Sequence, residues 1–168
     1  MPQVGHAEQR LVHLAFVDRH PEIAVGDLAK CDFRHHRLGG AHHAVCGHRP
    51  TSEGEGGKVD PGETPEESAV RECREELCIE VRNLEYCGEH RFQFTDGYSI
   101  HVWVYRTRDF EGVPTETVEA EPLWTPIDDI PFDLMWEDDR YWLPRLIRGE
   151  KFQTRWIFDG DRMVDYHI

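Results

Sequence analysis

Residues 56–81 read GGKVDPGETPEESAVRECREELCIEV and combine the start signals of a helix with a dense group of carboxylates. Thr64, Pro65 and Glu67 have the pattern of a helix N-cap, a proline in the first turn and a capping-box glutamate. The pattern therefore predicts a helix that starts at this point. Helical spacing then places four apolar residues on one buried stripe: Ala69, Val70, Cys73 and Leu77.

Three glutamates of this predicted helix, Glu72, Glu75 and Glu76, stand at positions i, i+3 and i+4, so we expect their side chains to lie together on a different face. Like charges at this spacing cost roughly a few tenths of a kcal/mol per pair. A bound divalent cation would reverse that cost, and proteins commonly hold Mg²⁺ through a few carboxylates. A solvated acidic helix is the simpler alternative, because glutamate is a good helix former.

The loop before the helix is rich in glycine, with Gly54, Gly56, Gly57 and Gly62 leading to Glu63. Glycines permit tight turns and a close approach of the backbone to a ligand. Loop and helix together therefore indicate a single site.

This stretch resembles the signature of the Nudix hydrolase family: Gly, five residues, Glu, seven residues, Arg-Glu, an apolar residue, any residue, Glu-Glu, any residue, Gly and an apolar residue. In this chain the signature falls on Gly57, Glu63, Arg71, Glu72, Cys73, Glu75, Glu76, Cys78 and Ile79. Cys78 departs from the signature, which has glycine at this helix end. A left-handed cap costs a non-glycine residue roughly 1 kcal/mol, so we expect a weaker helix end with the metal ligands intact.

Length, charge and cysteine content limit the number of domains and the kinds of partner that we expect. A chain of 168 residues is predicted to form one domain, residues 1–168. Its net charge of −14 disfavours duplex nucleic acid and anionic membranes as partners. Five cysteines without a CxxC pair indicate neither a disulfide framework nor a zinc site, and the cytoplasm is the expected compartment. No stretch reads as a signal peptide or a membrane span, and we expect a monomer.

Short apolar stretches elsewhere predict strands. The segments 11–17, 79–81, 84–88 and 122–127 read as extended, and Asp96-Gly97 and Asp159-Gly160 read as hairpin turns, between Phe94 and Ile100 and between Phe158 and Arg162. Residues 138–146 read as a helix that Pro144 ends or bends. Mixed strands around two helices predict an α+β fold, an α/β/α sandwich with a mixed sheet, as in the Nudix fold.

The C-terminal half is similar to the branch of the Nudix family that hydrolyses oxidised purine nucleoside triphosphates, in IPFDLMWEDDRYWLP (130–144) and KFQTRWIFDGDRMVDYHI (151–168). The resemblance implies that Trp136 stacks on the purine while Asp138 and Asp139 bind its edge, with Phe94 as a further contact. The alternative is structural: Asp138 caps a helix, Asp139 complements its dipole, and Trp136 and Trp142 pack in the core.

The family resemblance also implies a metal site and a reaction. Mg²⁺, with Mn²⁺ as a possible substitute, would bind the Gly56 carbonyl, Glu72, Glu75, Glu76 and, from the segment past the signature, Glu119. The implied substrate is a small-molecule nucleotide, which water cleaves to a monophosphate and pyrophosphate. Arg71 is expected to orient Glu72, and Lys58 is a candidate phosphate contact, with a solvated lysine as the alternative. Glu119 has the competing interpretation of one exposed glutamate among several.

Residues 18–55 are atypical for the family. The resemblance implies an asparagine for the purine shortly before the signature, but Glu53 stands there, and RHHRLGGAHHAVCGHRP lacks strand periodicity. Three interpretations stay open: a histidine metal site with His35, His36, His42, His43 and His48, a divergent loop, and translation in a wrong reading frame. Accordingly, a Nudix hydrolase of another nucleotide substrate and a non-catalytic nucleotide-binding module are the alternative functions.

Overall fold

The computed structural model describes residues 9–17, 22–26, 58–115, 117 and 125–168. These residues form nine strands, two α-helices and two short 3-10 helices, at Ile127–Asp129 and Phe132–Leu134. The helices are α1 (Pro65–Leu77) and α2 (Asp139–Arg148). The strands are β1 (Gln9–Val17), β2 (Glu22–Gly26), β3 (Glu80–Arg82), β4 (Glu85–Phe94), β5 (Ser99–Thr107), β6 (Asp109–Glu111), β7 (Thr125–Pro126), β8 (Phe152–Asp159) and β9 (Arg162–His167).

Seven strands form one mixed sheet in the order β7-β2-β1-β5-β4-β8-β9, and β3 pairs with β6 in a separate ladder. The pairs β1–β5 and β4–β8 are parallel, whereas β4–β5 and β8–β9 are antiparallel. The last two are the hairpins predicted around Asp96-Gly97 and Asp159-Gly160. The sheet is therefore built from local hairpins that long-range parallel pairing joins.

The two helices pack on opposite faces of this sheet. Alternate residues of β5 point to opposite faces, and Val104 and Tyr105 accordingly belong to different clusters. The α1-side core consists of Ala69, Cys73, Leu77, Ile79, Val81 and Tyr105. The α2-side core consists of Cys87, Ile100, Val102, Val104, Trp142, Leu143, Leu146, Phe152, Trp156 and Phe158. This arrangement confirms the predicted α/β/α sandwich.

Three local predictions need correction. No strand was predicted at Glu22–Gly26, but this segment forms β2, which pairs with β1; the passage 34–50, which lacks strand periodicity, lies outside the described residues. Helix α2 continues through Pro144 and ends at Gly149, which adopts φ 77° and donates its N–H to the Leu146 carbonyl. Of the strand predicted over 122–127, the described part is a strand only at Thr125–Pro126. In the described part of the chain, no helix is long and apolar enough to cross a membrane.

Gly88 marks a close approach of β4 and β8. It is the register partner of Phe152, and a Cβ atom at Gly88 would collide with the carbonyl oxygen and the ring of Phe152. We expect Gly88→Ala to lower the free energy of unfolding by about 1–3 kcal/mol through overpacking, as measured by denaturant titration. Gly97→Ala is the control, because a Cβ there meets no atom and only the backbone at φ 95° is strained. Equal losses in the two variants would contradict this prediction.

Candidate active site

Helix α1 begins as its sequence predicts. Thr64 is the N-cap, its hydroxyl accepts from the Glu67 N–H at 3.2 Å, and the Glu67 carboxylate accepts from the Thr64 N–H at 2.8 Å. The apolar stripe faces the sheet, with Ala69, Cys73 and Leu77 buried. The direction of the glutamates around the helix is thereby fixed.

The three glutamates of α1 differ sharply in burial. Glu72 and Glu76 are 4% and 1% exposed, whereas the Glu75 side chain is 57% exposed. Burial raises the pKa of the Cys73 thiol, and the charges of Glu76 and Glu72 raise it further. Two acidic side chains thus lie in the buried face beside Cys73, which a solvated surface helix does not explain. Glu75 is thus the most exposed of the three, but its carboxylate and that of Glu72 bind the same Arg71 nitrogen.

Arg71 connects the helix to the loop before it. Its guanidinium donates to Glu72 at 2.6 Å and to Glu75 at 3.1 Å, so the expected ion pair with Glu72 is present. It also binds both oxygens of Glu63, at 3.0 and 2.9 Å, and the backbone carbonyl of Lys58 at 2.8 Å. The Glu63 contact was not foreseen, although both residues belong to the family signature. Arg71 therefore holds the loop and Glu72 in one arrangement.

Glu63 provides a prediction on acid stability. The hydrogen bonds from Arg71 lower the pKa of Glu63 below its ordinary value of 4.5. A carboxyl group whose pKa is lowered by folding stabilises the fold at pH values above its pKa in the unfolded chain. This contribution is lost as the pH falls through the pKa of the same group in the folded protein. We expect Glu63→Gln to cost about 1 kcal/mol at pH 7, allowing for solvent screening, and to flatten the stability loss below about pH 4.5.

Denaturant unfolding across this pH range measures the effect of Glu63→Gln. Glu80→Gln is the matched control. Glu80 of β3 binds Arg74 of α1 at 2.6 Å, but both side chains are at least half exposed. Exposed pairs contribute little, so we expect the control to follow the parent. Parallel acid profiles for the parent and Glu63→Gln would refute the assigned role.

The carboxyl end of α1 is closed by a second segment. Cys78 adopts φ 58° and ψ 33°, the left-handed cap expected from the family signature, and its N–H donates to the Cys73 carbonyl. The Thr115 N–H donates to the Leu77 carbonyl at 3.1 Å, and the Thr117 hydroxyl donates to the Glu76 carbonyl at 2.9 Å. These bonds satisfy carbonyls that a helix end leaves without internal partners.

The side chains of α1 include the type of ligand that a hard divalent cation prefers. Buried carboxylates such as those of Glu72 and Glu76 supply the oxygen ligands that Mg²⁺ prefers. Within residues 58–115, 117 and 125–168, however, no three His, Cys, Asp or Glu side chains group closely enough to hold a metal ion. Two of the predicted ligands, Gly56 and Glu119, lie outside the described residues, as do Glu53 and the histidines of residues 35–48. The ligand set stays a prediction.

The residues predicted to bind the base lie at the start of α2. Asp138 and Asp139 are 3% and 8% exposed. Asp138 occupies the N-cap position but its side chain makes no capping hydrogen bond, and Asp139 accepts from the Trp136 N–H at 3.1 Å. Trp136 is half-buried and its ring meets that of Phe158 edge-on at 5.1 Å. The helix-cap interpretation is thus weakened for Asp138, whereas Asp139 has a structural contact.

A cluster of aromatic rings continues from Trp136. Phe158 lies 5.9 Å from Phe94, the other predicted base contact, and both rings belong to or pack against the α2-side core. The structure thus brings Phe94, Trp136 and the two aspartates to one face of the sheet, while α1 packs on the opposite face. A ligand that touches both the predicted base contacts and the glutamates of α1 has to pass an edge or an end of the sheet. The side chain of Lys58, half-buried where its carbonyl meets Arg71, stays a candidate phosphate contact.

Comparison with known proteins identifies the family. The NUDIX domain matches residues 36–146, more than half of the chain. The oxidized purine nucleoside triphosphate hydrolases of Danio rerio and Mus musculus are each 38% identical over 117 residues, which is 68% of this chain and 74% and 75% of theirs. The chain therefore belongs to the Nudix hydrolase family.

The fold has a counterpart among solved structures. The crystal structure of the mutator protein MutT from Bacillus halodurans superposes with a TM-score of 0.71, covering 95% of this chain and 96% of that one. At 19% sequence identity this likeness concerns the fold alone. It confirms the predicted Nudix architecture.

Proposed function

We propose that this Nudix pyrophosphohydrolase cleaves oxidised purine nucleoside triphosphates, of the 8-oxo-dGTP and 2-hydroxy-dATP type, to a monophosphate and pyrophosphate. Such an activity would remove damaged nucleotides before they enter DNA. The single observation that supports it most is the burial of Asp138 and Asp139 beside Trp136, at the positions implied by the resemblance. The 38% identity to two oxidized purine nucleoside triphosphate hydrolases supports the same substrate class.

In this proposal the acidic helix provides the reaction centre. Glu72, Glu75 and Glu76, together with the Gly56 carbonyl and Glu119, would hold Mg²⁺. When bound, Mg²⁺ supplies charge neutralisation of the phosphates and a more acidic water. Glu72 or Glu76 is the general base of choice, with Glu119 as a third candidate.

Arg71 and the segments on either side of α1 position this centre. Arg71 keeps Glu72 in place through the 2.6 Å ion pair and fixes the preceding loop through Glu63 and the Lys58 carbonyl. The Thr117 hydroxyl holds the Glu76 carbonyl at the helix end. These contacts hold the catalytic groups in place, and a small displacement of such groups costs much activity.

The paired aspartates suit an oxidised purine. Two carboxyl groups held close together in a buried site do not both ionise easily, so in this proposal one would keep a proton and donate while the other would accept. Such a pair can bind either a lactam edge or an amino edge, according to which oxygen carries the proton. One pocket would then accept oxidised guanine and oxidised adenine, with the Trp136 ring stacking on either base.

A nucleotide panel tests the substrate class. The full chain with Mg²⁺ is incubated with oxidised and unmodified purine triphosphates, a dinucleoside polyphosphate and a nucleotide sugar, and pyrophosphate and monophosphate are measured. We expect the highest kcat/KM for the oxidised purine triphosphates. Preference for a dinucleotide or sugar nucleotide would favour another Nudix substrate, which the presence of Glu53 in place of an asparagine also suggests. Binding without turnover would indicate a non-catalytic module.

A further inference from the structure

Ser68 of α1 joins the helix to the loop that precedes it. The residue is 0% exposed. Its hydroxyl donates to the Lys58 carbonyl at 3.2 Å and accepts from Nη2 of Arg71 at 3.2 Å. A buried polar group costs free energy unless it has hydrogen-bond partners. The Ser68 hydroxyl meets this demand as a donor and as an acceptor, and both partners lie at the candidate active site.

Helix formation alone does not explain a serine at position 68. The Ser68 N–H makes the ordinary helical bond to the Thr64 carbonyl, at 3.0 Å, and alanine at this position would have the higher helix propensity. A serine hydroxyl inside a helix can bond the carbonyl four residues before it. The Ser68 hydroxyl instead reaches a carbonyl ten residues back in the chain, that of Lys58. Its contacts outside the helix therefore account for the serine.

Three groups form a closed triangle of hydrogen bonds: the Ser68 hydroxyl, the Arg71 guanidinium and the Lys58 carbonyl. Nη2 of Arg71 donates to the Lys58 carbonyl at 2.8 Å, and Ser68 contacts both of these groups. The same guanidinium donates from Nη1 to Glu72 at 2.6 Å. The triangle is thus connected, through Arg71, to a buried carboxylate of the acidic helix.

Restraint of Arg71 matters because Arg71 holds Glu72. A side chain that is already ordered loses less conformational freedom when a ligand binds. We propose that Ser68 is a positioning residue, whose hydroxyl keeps Arg71, and through it Glu72, in the orientation that binds a divalent cation. This inference rests on the proposed function for the role of Glu72 as a ligand. Position 68 lies among the seven unspecified residues between Glu63 and Arg71, so the family signature does not indicate it.

The demand for Mg²⁺ tests the role of Ser68. Hydrolysis of 8-oxo-dGTP is measured against Mg²⁺ concentration for the parent and for Ser68→Ala, which removes the hydroxyl and favours the helix. We expect the Mg²⁺ concentration that gives half the maximal rate to rise about fivefold. A fivefold change corresponds to about 1 kcal/mol, the size of one lost hydrogen bond. The value of kcat at saturating Mg²⁺ should stay within about twofold of the parent, because Glu72 itself is retained.

The matched control removes a buried hydroxyl elsewhere. The Thr107 hydroxyl donates to the Arg82 carbonyl at 2.6 Å and accepts from the Asp109 N–H at 3.0 Å, so these partners lie in β3 and β6. We expect Thr107→Val to lower the unfolding temperature at least as much as Ser68→Ala does, but to keep the parent demand for Mg²⁺. An equal rise in Mg²⁺ demand in both variants overturns the proposal, because lost stability would then suffice as the cause. An unchanged demand in Ser68→Ala overturns it as well.

Metal binding without nucleotide separates this proposal from the proposed function. Mn²⁺ is titrated into the parent, Ser68→Ala and Thr107→Val, and the free ion is measured by electron paramagnetic resonance. Affinity that falls about fivefold in Ser68→Ala alone supports the positioning role, even if the parent hydrolyses no oxidised purine nucleotide. Equal affinity in all three proteins, or no Mn²⁺ binding by the parent, overturns the role of Ser68 whatever the enzymatic result.

Discussion

Replacing Glu76 or Glu72 by glutamine should reduce nucleotide hydrolysis by at least about a hundredfold while the fold is retained. Each change removes one negative charge at nearly constant shape from the buried face of α1, where Glu72 and Glu76 are 4% and 1% exposed. A site that holds a divalent cation needs that charge, and metal assistance contributes several kcal/mol to such reactions, with a hundredfold corresponding to about 2.7 kcal/mol. Initial rates with Mg²⁺ titration measure the loss.

Glu66→Gln is the matched control for these variants. Glu66 lies in the first turn of the same helix, is exposed, and loses the same charge. We expect it to keep the parent rate and the parent demand for Mg²⁺. If Glu72→Gln and Glu76→Gln also hydrolyse a nucleotide at the parent rate with unchanged Mg²⁺ demand, then the acidic helix is not the reaction centre.

Asparagine at position 138 or 139 should raise KM for oxidised purine triphosphates by tenfold or more. If the two side chains bind the base as proposed, each substitution leaves a buried polar group without its partner, which costs roughly 1–3 kcal/mol, and both side chains are buried. Trp136→Ala should weaken binding by about 1–3 kcal/mol through lost stacking. Turnover at saturation should change less, because the glutamates of α1 lie on the opposite face of the sheet.

Thermal unfolding distinguishes a binding pair from a helix cap. If Asp138 binds the base rather than caps α2, Asp138→Asn should raise KM while the unfolding temperature stays near that of the parent. Asp139 accepts from the Trp136 N–H at 3.1 Å, so Asp139→Asn tests both roles together. Parent-level KM with a lower unfolding temperature in both variants would make the pair structural and would remove the basis for the purine assignment.

The elements that the sequence predicted correctly are those whose stabilising residues lie close together in the chain. Thr64, Pro65 and Glu67 define the start of α1 within four residues of one another. Asp96-Gly97 and Asp159-Gly160 each join two strands that are neighbours in the chain. The left-handed Cys78 cap followed from a signature position. In each case the interacting residues are close in sequence, so the pattern carries the geometry.

The features that the sequence did not predict depend on distant parts of the chain. Strand β2 is only five residues long and gains its place by pairing with β1 and β7. Glu72 and Glu75 bind the same Arg71 nitrogen but differ in burial, because packing of α1 against the sheet covers only Glu72. The parallel pairing of β4 with β8 joins two distant segments of the chain, and no local pattern encodes it.

The most direct test of the account is the identity of the products released from 8-oxo-dGTP. The full chain is incubated with this nucleotide and Mg²⁺, and pyrophosphate, orthophosphate and the nucleoside monophosphate are measured together, with chelator and Glu76→Gln as parallel samples. The account predicts equal amounts of pyrophosphate and monophosphate, abolished by either the chelator or the substitution. Orthophosphate as the product, or release that persists in Glu76→Gln, would contradict it.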